Sequence, residues 1–240
     1  MWFPKVRKTC LSLPAAFCLA WFAHDASAEV ITLDFEGLGQ SDEVRDYYND
    51  GTSFFGLQGP DFGVTMSDNA TTSIDSDAGG LGDFGGEPSP STVLFFPTGN
   101  AAVMTYAAGF ENGFSFFYSA PFPQVPGVIT VHGGVDGTGA VLAELTLPTT
   151  PLLGDPVDDG VFSPFVSIGV EFDGVARSVS FGGGQQLIAY DNITFGSATA
   201  TGSTGGPTSP KSVSAPRAGV SFSLGLMLLL IAGRLRRSAP

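Results

Sequence analysis

Cysteine and tryptophan are confined to the first 28 residues of this 240-residue chain, as Cys10, Cys18, Trp2 and Trp21. Beyond them no thiol is available for a disulfide, a nucleophile or a sulfur-ligated metal. Histidine is almost as scarce, with His132 alone past residue 28. A Ser-His-Asp triad would have to draw on that one imidazole, and zinc catalysis needs more nitrogen or sulfur ligands than one. Basic residues are also few: between Glu29 and Ser197 stand Arg45 and Arg177 against 22 acidic residues, a net charge of about −20. Such a surface repels phosphate backbones and anionic lipid headgroups alike, which excludes nucleic-acid binding. No stretch of that body keeps a 3.6-residue apolar period over three turns, so long amphipathic helices are not expected. What is present is apolar material, 43% of residues against 14% charged, enough to offset chain entropy and exclude disorder throughout. The length suits one domain plus sorting segments.

Both ends read as address labels. Lys5, Arg7 and Lys8, the apolar run Leu11 to Phe22, and Ala26-Ser27-Ala28 have the order of a secretory signal peptide over residues 1–28, cut after Ala28. Its apolar run of 12 residues is too short to span a bilayer core of roughly 30 Å. Residues 198–217 are rich in Ser, Thr, Gly and Pro, the composition of a flexible tether. Residues 218–233 carry no charge and are followed by Arg234, Arg236 and Arg237. As a helix this segment is about 24 Å long, a short membrane span whose arginines stay cytoplasmic and leave the body facing outward. A plain tail anchor and a sorting signal both fit these flanks.

The run Val213-Ser214-Ala215-Pro216, the apolar segment and the terminal arginines together resemble the PEP-CTERM tail of Gram-negative bacteria. Val213, Ala215 and Pro216 match its Val-Pro-Ala-Pro variant, and the Pro-Glu-Pro core is absent. The resemblance implies processing by a membrane-embedded exosortase, in bacteria that make exopolysaccharide.

The body, residues 29–197, is a series of short β-branched and aromatic stretches punctuated by Gly, Pro, Asn and Asp. Strands are expected at Ile31 to Phe35, Val93 to Phe96, Ala102 to Tyr106, Gly113 to Tyr118, Val128 to His132, Val141 to Leu147, Val166 to Phe172, Ser178 to Phe181 and Leu187 to Phe195. Asp136-Gly137 suits a turn of positive φ between two of them. About nine short strands predict an all-β fold, an antiparallel β-sandwich of jelly-roll type. The body also resembles the β-sandwich of PEP-CTERM exported proteins, through Asp34-Phe35-Glu36-Gly37-Leu38, Tyr47-Tyr48-Asn49, Glu87-Pro88-Ser89-Pro90-Ser91-Thr92, Gly113 to Tyr118, and Tyr190-Asp191-Asn192-Ile193 in that order. The opening Asp-Phe-Glu-Gly and closing Asp-Asn-Ile are similar to the terminal strands of jelly-roll carbohydrate-binding modules, a likeness that implies a structural calcium held between those strands.

Calcium takes six to eight oxygen ligands, which this acidic chain has in plenty. If the first and last strands pair, Glu36 and Asp191 approach at one sheet edge, and Asp191 shares the parity of Ile193 and Phe195, so it should face the core. An inward carboxylate needs a partner: a cation, or else backbone N–H groups or water. Asp75, Asp77 and Asp83 sit on a Gly-rich stretch with the character of a calcium loop or of a solvated acidic turn. Tyr47, Tyr48, Phe54 and Phe55 lie in a polar, Gly-rich region, as a sugar-stacking platform or as a cap on the core. With 22 acids in the body, no single carboxylate pair singles itself out for glycoside hydrolysis. The expectation is a non-enzymatic exported protein of the cell envelope or extracellular matrix. The alternative is a calcium-dependent carbohydrate-binding module engaging exopolysaccharide.

Overall fold

Alternation of apolar and polar residues sends successive side chains to opposite faces of a strand, and in the computed structural model the chain follows that instruction. The structure describes residues 30–123, 126–151, 160–184 and 187–202. The expected signal peptide with Ala28, the sorting residues Val213, Ala215 and Pro216, the apolar segment 218–233, and Arg234, Arg236 and Arg237 lie outside the described residues.

Eleven strands form among the described residues, all pairing antiparallel in two sheets. The first sheet holds β3 (Thr71–Ile74), β4 (Thr92–Phe95), β11 (Ala189–Phe195), β6 (Phe114–Ser119) and β9 (Val166–Val170) in that order, with β1 (Ile31–Leu33) also on β11. The second has the order β2 (Val64–Met66), β5 (Ala101–Phe110), β10 (Ala176–Gly182), β7 (Val128–His132) and β8 (Val141–Thr146). Consecutive strands repeatedly change sheet, as from β4 to β5 and from β10 to β11, so each sheet closes one face of the same core. Aromatic rings meet across that core, Phe181 lying 5.2 Å from Tyr190 and Phe110 lying 4.9 Å from Phe195, centroid to centroid. The second sheet contributes Met104, Ile129, Val131 and Val179, all buried, in the same cluster. The fold class is all-β, as composition and spacing predict.

β11 is buried along its whole length, because its far side is covered as well. Over that side lies a smaller cluster of Phe84, Val93, Phe165 and Ala189, with Phe95, Phe117 and Phe162 packed against it. The stretches around Phe84 and Phe162, joined by a bridge between these two residues, make the cover. That cover carries the candidate site.

The segment following β11 departs from expectation. Residues 198–202, assigned to the tether by composition, lie on the first sheet: Thr201 Oγ1 is 2.6 Å from Thr32 Oγ1, and Ser115 Oγ donates to the Ser197 carbonyl at 2.9 Å. Gly113 and Gly169 make room for them, since a Cβ at either would strike the backbone of Ala198. Composition tests whether a segment can bury a core, not whether it can lie on one already formed. Gly169→Ala should therefore lower stability by about 2 kcal/mol, a typical overpacking cost against backbone that cannot swing aside. Urea unfolding measures this, and an unchanged midpoint would show that the segment does not bear on the sheet.

Candidate functional site

Along one edge of β11 the neighbouring strand changes. β1 pairs with residues 193–195, while β4 pairs at Tyr190, and Asp191 and Asn192 stand at the changeover. The register against β6 on the other edge also shifts between Asp191 and Thr194, and Asn192 has φ of 45°. This bulge resets the alternation. Tyr190 and Ile193 both enter the main core, while Ala189 belongs to the outer cluster. Asp191 thus takes the side of Ala189, opposite to the core-facing direction that its parity with Ile193 predicts. One extra residue in a strand reverses every side chain beyond it.

Asp191 is fully buried and answered by hydrogen-bond donors. Its Oδ2 accepts from the Ser89 N–H at 2.9 Å and the Ser89 hydroxyl at 2.7 Å, and its Oδ1 from the Asn192 N–H at 2.6 Å. Burial pushes its carboxyl up to about 8, against the pull of the Ser89 and Asn192 donors, and the charge of Glu36 adds to the rise. Glu36, just past β1, reaches the same loop two residues further on. Its Oε1 accepts from the N–H groups of Ser91 and Thr92 at 2.9 and 2.8 Å, and its Oε2 lies 3.4 Å from both hydroxyls. Phe35 and Gly37 flank Glu36 at φ of 60° and 88°, a turn pinned by the Phe35 N–H donating to the buried Tyr48 hydroxyl at 2.8 Å. Asp34, whose Oδ1 accepts from the Glu36 N–H, is also raised by burial. The two terminal-strand carboxylates therefore clamp one loop, Ser89 to Thr92, from two sides. Their oxygens face the N–H and O–H donors of Ser89, Ser91, Thr92 and Asn192, so protein donors already answer both carboxylates.

That loop forms one wall of a cleft of about 360 Å³, lined by Asp75, Asp77, Phe84, Gly86, Glu87, Pro88, Ser89 and Pro90. Asp75 is buried and caps its own turn, its Oδ2 accepting from the Asp77 N–H at 3.1 Å and its Oδ1 from the Phe84 N–H at 3.3 Å. Gly80 closes the turn by donating to the Asp75 carbonyl at 2.8 Å. Asp77 and Asp83 are exposed. Asp77 lines the cleft, whereas Asp83 is not among its lining residues. Among the described residues no three His, Cys, Asp or Glu side chains are gathered as a metal-ligand set.

Of the four aromatic residues singled out from sequence, Tyr47 and Tyr48 are buried and Phe54 and Phe55 stand outside, 54% and 58% exposed. His132 is on the second sheet, with its Nε2 3.1 Å from Ser180 Oγ and its imidazole lowered by burial. Ser89, the direct partner of Asp191, is not marked out as a site residue by the sequence. The only signal for it was the Pro-flanked run Glu87 to Thr92, which carries no chemical signature by itself.

No protein-family model and no curated protein matches the chain. Solved structures overlap it in part. A carbohydrate-binding module of Cellvibrio mixtus lichenase 5A, in complex with cellotriose, is 9% identical with a TM-score of 0.33, over 55% of this chain and 88% of that one. The carbohydrate-binding and catalytic modules of Clostridium thermocellum xylanase 10B, complexed with xylohexaose, are 9% identical with a TM-score of 0.34, over 69% of this chain and 30% of theirs. The K3 adhesin domain of Lys-gingipain from Porphyromonas gingivalis is 12% identical with a TM-score of 0.29, over 70% and 91% respectively. Scores this low bear neither on the ligand nor on the site of this chain.

Proposed function

We propose that this chain is a non-enzymatic exported protein of the bacterial envelope or matrix whose β-sandwich binds carbohydrate, the producing cell's own exopolysaccharide being its ligand. The cleft of about 360 Å³ carries this reading. Its volume falls in the range of small-ligand sites, and its mainly polar lining sets Pro88 and Pro90 beside the Asp77 and Glu87 side chains, with Phe84 buried beneath. Proline rings suit the C–H face of a sugar, and carboxylates accept hydrogen bonds from its hydroxyls. Export rests on the signal-peptide pattern of residues 1–28. Retention at the membrane, and processing by an exosortase, rest on the PEP-CTERM-like tail.

Co-sedimentation of the exported protein with the producing bacterium's extracellular polysaccharide tests the reading. Wild type should sediment equally in calcium and in chelator. Asp77→Asn together with Glu87→Gln should weaken binding about tenfold or more, the effect of losing hydrogen bonds to charged acceptors. Sedimentation in calcium only would place a bridging cation in the cleft. No sedimentation in either condition would leave a matrix protein that does not bind this polymer.

A further inference from the structure

Residues 52–58 form a small finger on the surface. Thr52 and Gln58 bridge antiparallel at its base, the Ser53 N–H donates to the Leu57 carbonyl at 2.9 Å, and the Leu57 N–H donates to the Ser53 hydroxyl at 3.2 Å. Gly56, at φ of 82°, closes the tip by donating to the Ser53 carbonyl at 3.0 Å. The turn buries Ser53 and sends Phe54, Phe55 and Leu57 outward, 54%, 58% and 38% exposed. The finger is braced from the body: the Phe54 N–H donates to the Glu43 carbonyl at 2.9 Å, and the Phe55 N–H to Oδ1 of the buried Asp42 at 3.0 Å. Three large apolar side chains thus face water from one fixed tip, where turn chemistry alone favours small and polar residues.

Charge narrows what such a tip can enter. Residues 51–60 carry no charged side chain, in a body of about −20. Arg45 lies 4.8 Å from the Phe54 ring centroid, and its Nε is answered by Glu43 at 2.7 Å and Asp68 at 3.6 Å. Arg45 is therefore no free cation for an anionic headgroup, and the tip suits an electrically neutral interface. The tail brings a lipid surface within reach. The described chain ends at residue 202, just past the Thr201 contact with Thr32 of β1, and residues 203–217 separate it from the apolar segment 218–233. Fully extended, that stretch reaches about 50 Å, enough for any side of a domain about 40 Å across to meet the bilayer. Tethering also raises the local concentration of the tip at the membrane, so an insertion too weak to hold a free protein holds a tethered one.

We propose that the Phe54-Phe55-Gly56-Leu57 tip enters the interface of the membrane that retains the chain, docking the sandwich on electrically neutral lipid. The inference rests on the membrane retention read from the tail and is independent of what the cleft binds. Apolar side chains on a fixed backbone enter the boundary of headgroups and acyl chains without a further ordering cost. The docked side is defined by the brace: Glu43 bridges to Thr71 of β3, one edge of the first sheet. Val141, 58% exposed, starts β8, which lies beside β9 at the opposite edge.

The test is fluorescence of the exported chain, tail included, with single tryptophans as reporters, since none stands past residue 28. Phe55→Trp and Val141→Trp are each reconstituted with phosphatidylcholine vesicles, recovered by flotation, and compared with and without lipid brominated on its acyl chains. Emission from position 55 should shift to the blue and be quenched, and emission from position 141 should stay as in buffer. With the reporter at Leu57→Trp, Phe54→Ala/Phe55→Ala should lower the ratio of inserted to free tip about tenfold, with an unaltered melting temperature. Protein that floats without quenching at position 55, or with equal quenching at positions 55 and 141, would overturn the docking tip and leave the anchored tail standing. Quenching that rises as phosphatidylglycerol replaces phosphatidylcholine would overturn the preference for neutral lipid. Failure to float would overturn both the anchored tail and the docking tip.

Discussion

Asp191→Ala should be the most destabilising single change at this site, lowering stability by about 3 kcal/mol and the melting temperature by roughly 6–12 °C. The substitution leaves the Ser89 N–H and the Asn192 N–H without their acceptor in a place where Asp191 is wholly buried, and turns the Ser89 hydroxyl to the Thr92 carbonyl alone. Each orphaned donor loses its partner without regaining water. A pH dependence accompanies this. Burial raises Asp191 to about 8, far above an unfolded aspartate at about 3.9. Between those values the native state holds a proton that the unfolded chain has released, so stability falls as pH rises. The contribution is complete below about pH 4 and is lost as pH passes about 8. Asp191→Asn, which cannot titrate, should flatten the slope of melting temperature between pH 5 and pH 9. A slope unchanged in that variant would mean that Asp191 is ionised throughout the range.

Most of the fold was legible because alternation and turn chemistry are local. The strand expected at Val128 to His132 has those same bounds, and Asp136-Gly137 forms the turn between β7 and β8 with φ of 53° and 70°. The strands that pattern reading missed are β2 and β3. Each is three or four residues long, and β3 reads Thr-Thr-Ser-Ile, too short and too polar to show a period. Their existence is decided by neighbours: β2 pairs with β5 from Val64 to Met66, and β3 with β4 from Thr71 to Ile74. Pairing across some 20 to 40 residues leaves no trace in a short window.

At the site, local signals divided in the same way. Asp34 to Gly37 and Asp191-Asn192 drew attention as chemistry-bearing ends of strands, and β1 does pair with β11. Strict alternation turns Asp191 toward the core and cannot anticipate a bulge, although an Asn at positive φ is the sort of residue that makes one. Tyr47 and Tyr48 were indistinguishable by sequence from Phe54 and Phe55. Their burial follows from polar tips that find partners, Tyr48 accepting from the Phe35 N–H and Tyr47 donating to the Glu36 carbonyl at 3.2 Å. A phenol can go inward when its hydroxyl is answered there. The Phe54 and Phe55 rings have no polar tip to be answered inside, and their backbone is held at the surface by Asp42 and Glu43, which themselves pair with β3 at Thr71 and Thr72.

Glu36→Ala should cost about 2 kcal/mol, and the loss should be the same in calcium and in chelator. The carboxylate receives the backbone N–H groups of Ser91 and Thr92, and removing it leaves both without an acceptor at the start of β4. Glu36→Gln separates the two accounts of this residue. Its amide oxygen still accepts from the two N–H groups and its amide nitrogen faces hydroxyls that can accept, so a hydrogen-bonded clamp should recover most of the stability. A calcium ligand would lose its charge in that change, and the melting temperature would then fall in calcium while staying level with wild type in chelator. Equal melting of wild type with and without calcium, with Gln close to Glu in both, identifies the clamp. The Ser89 to Thr92 wall of the cleft is then held by hydrogen bonds alone, and the cleft keeps its shape without a metal.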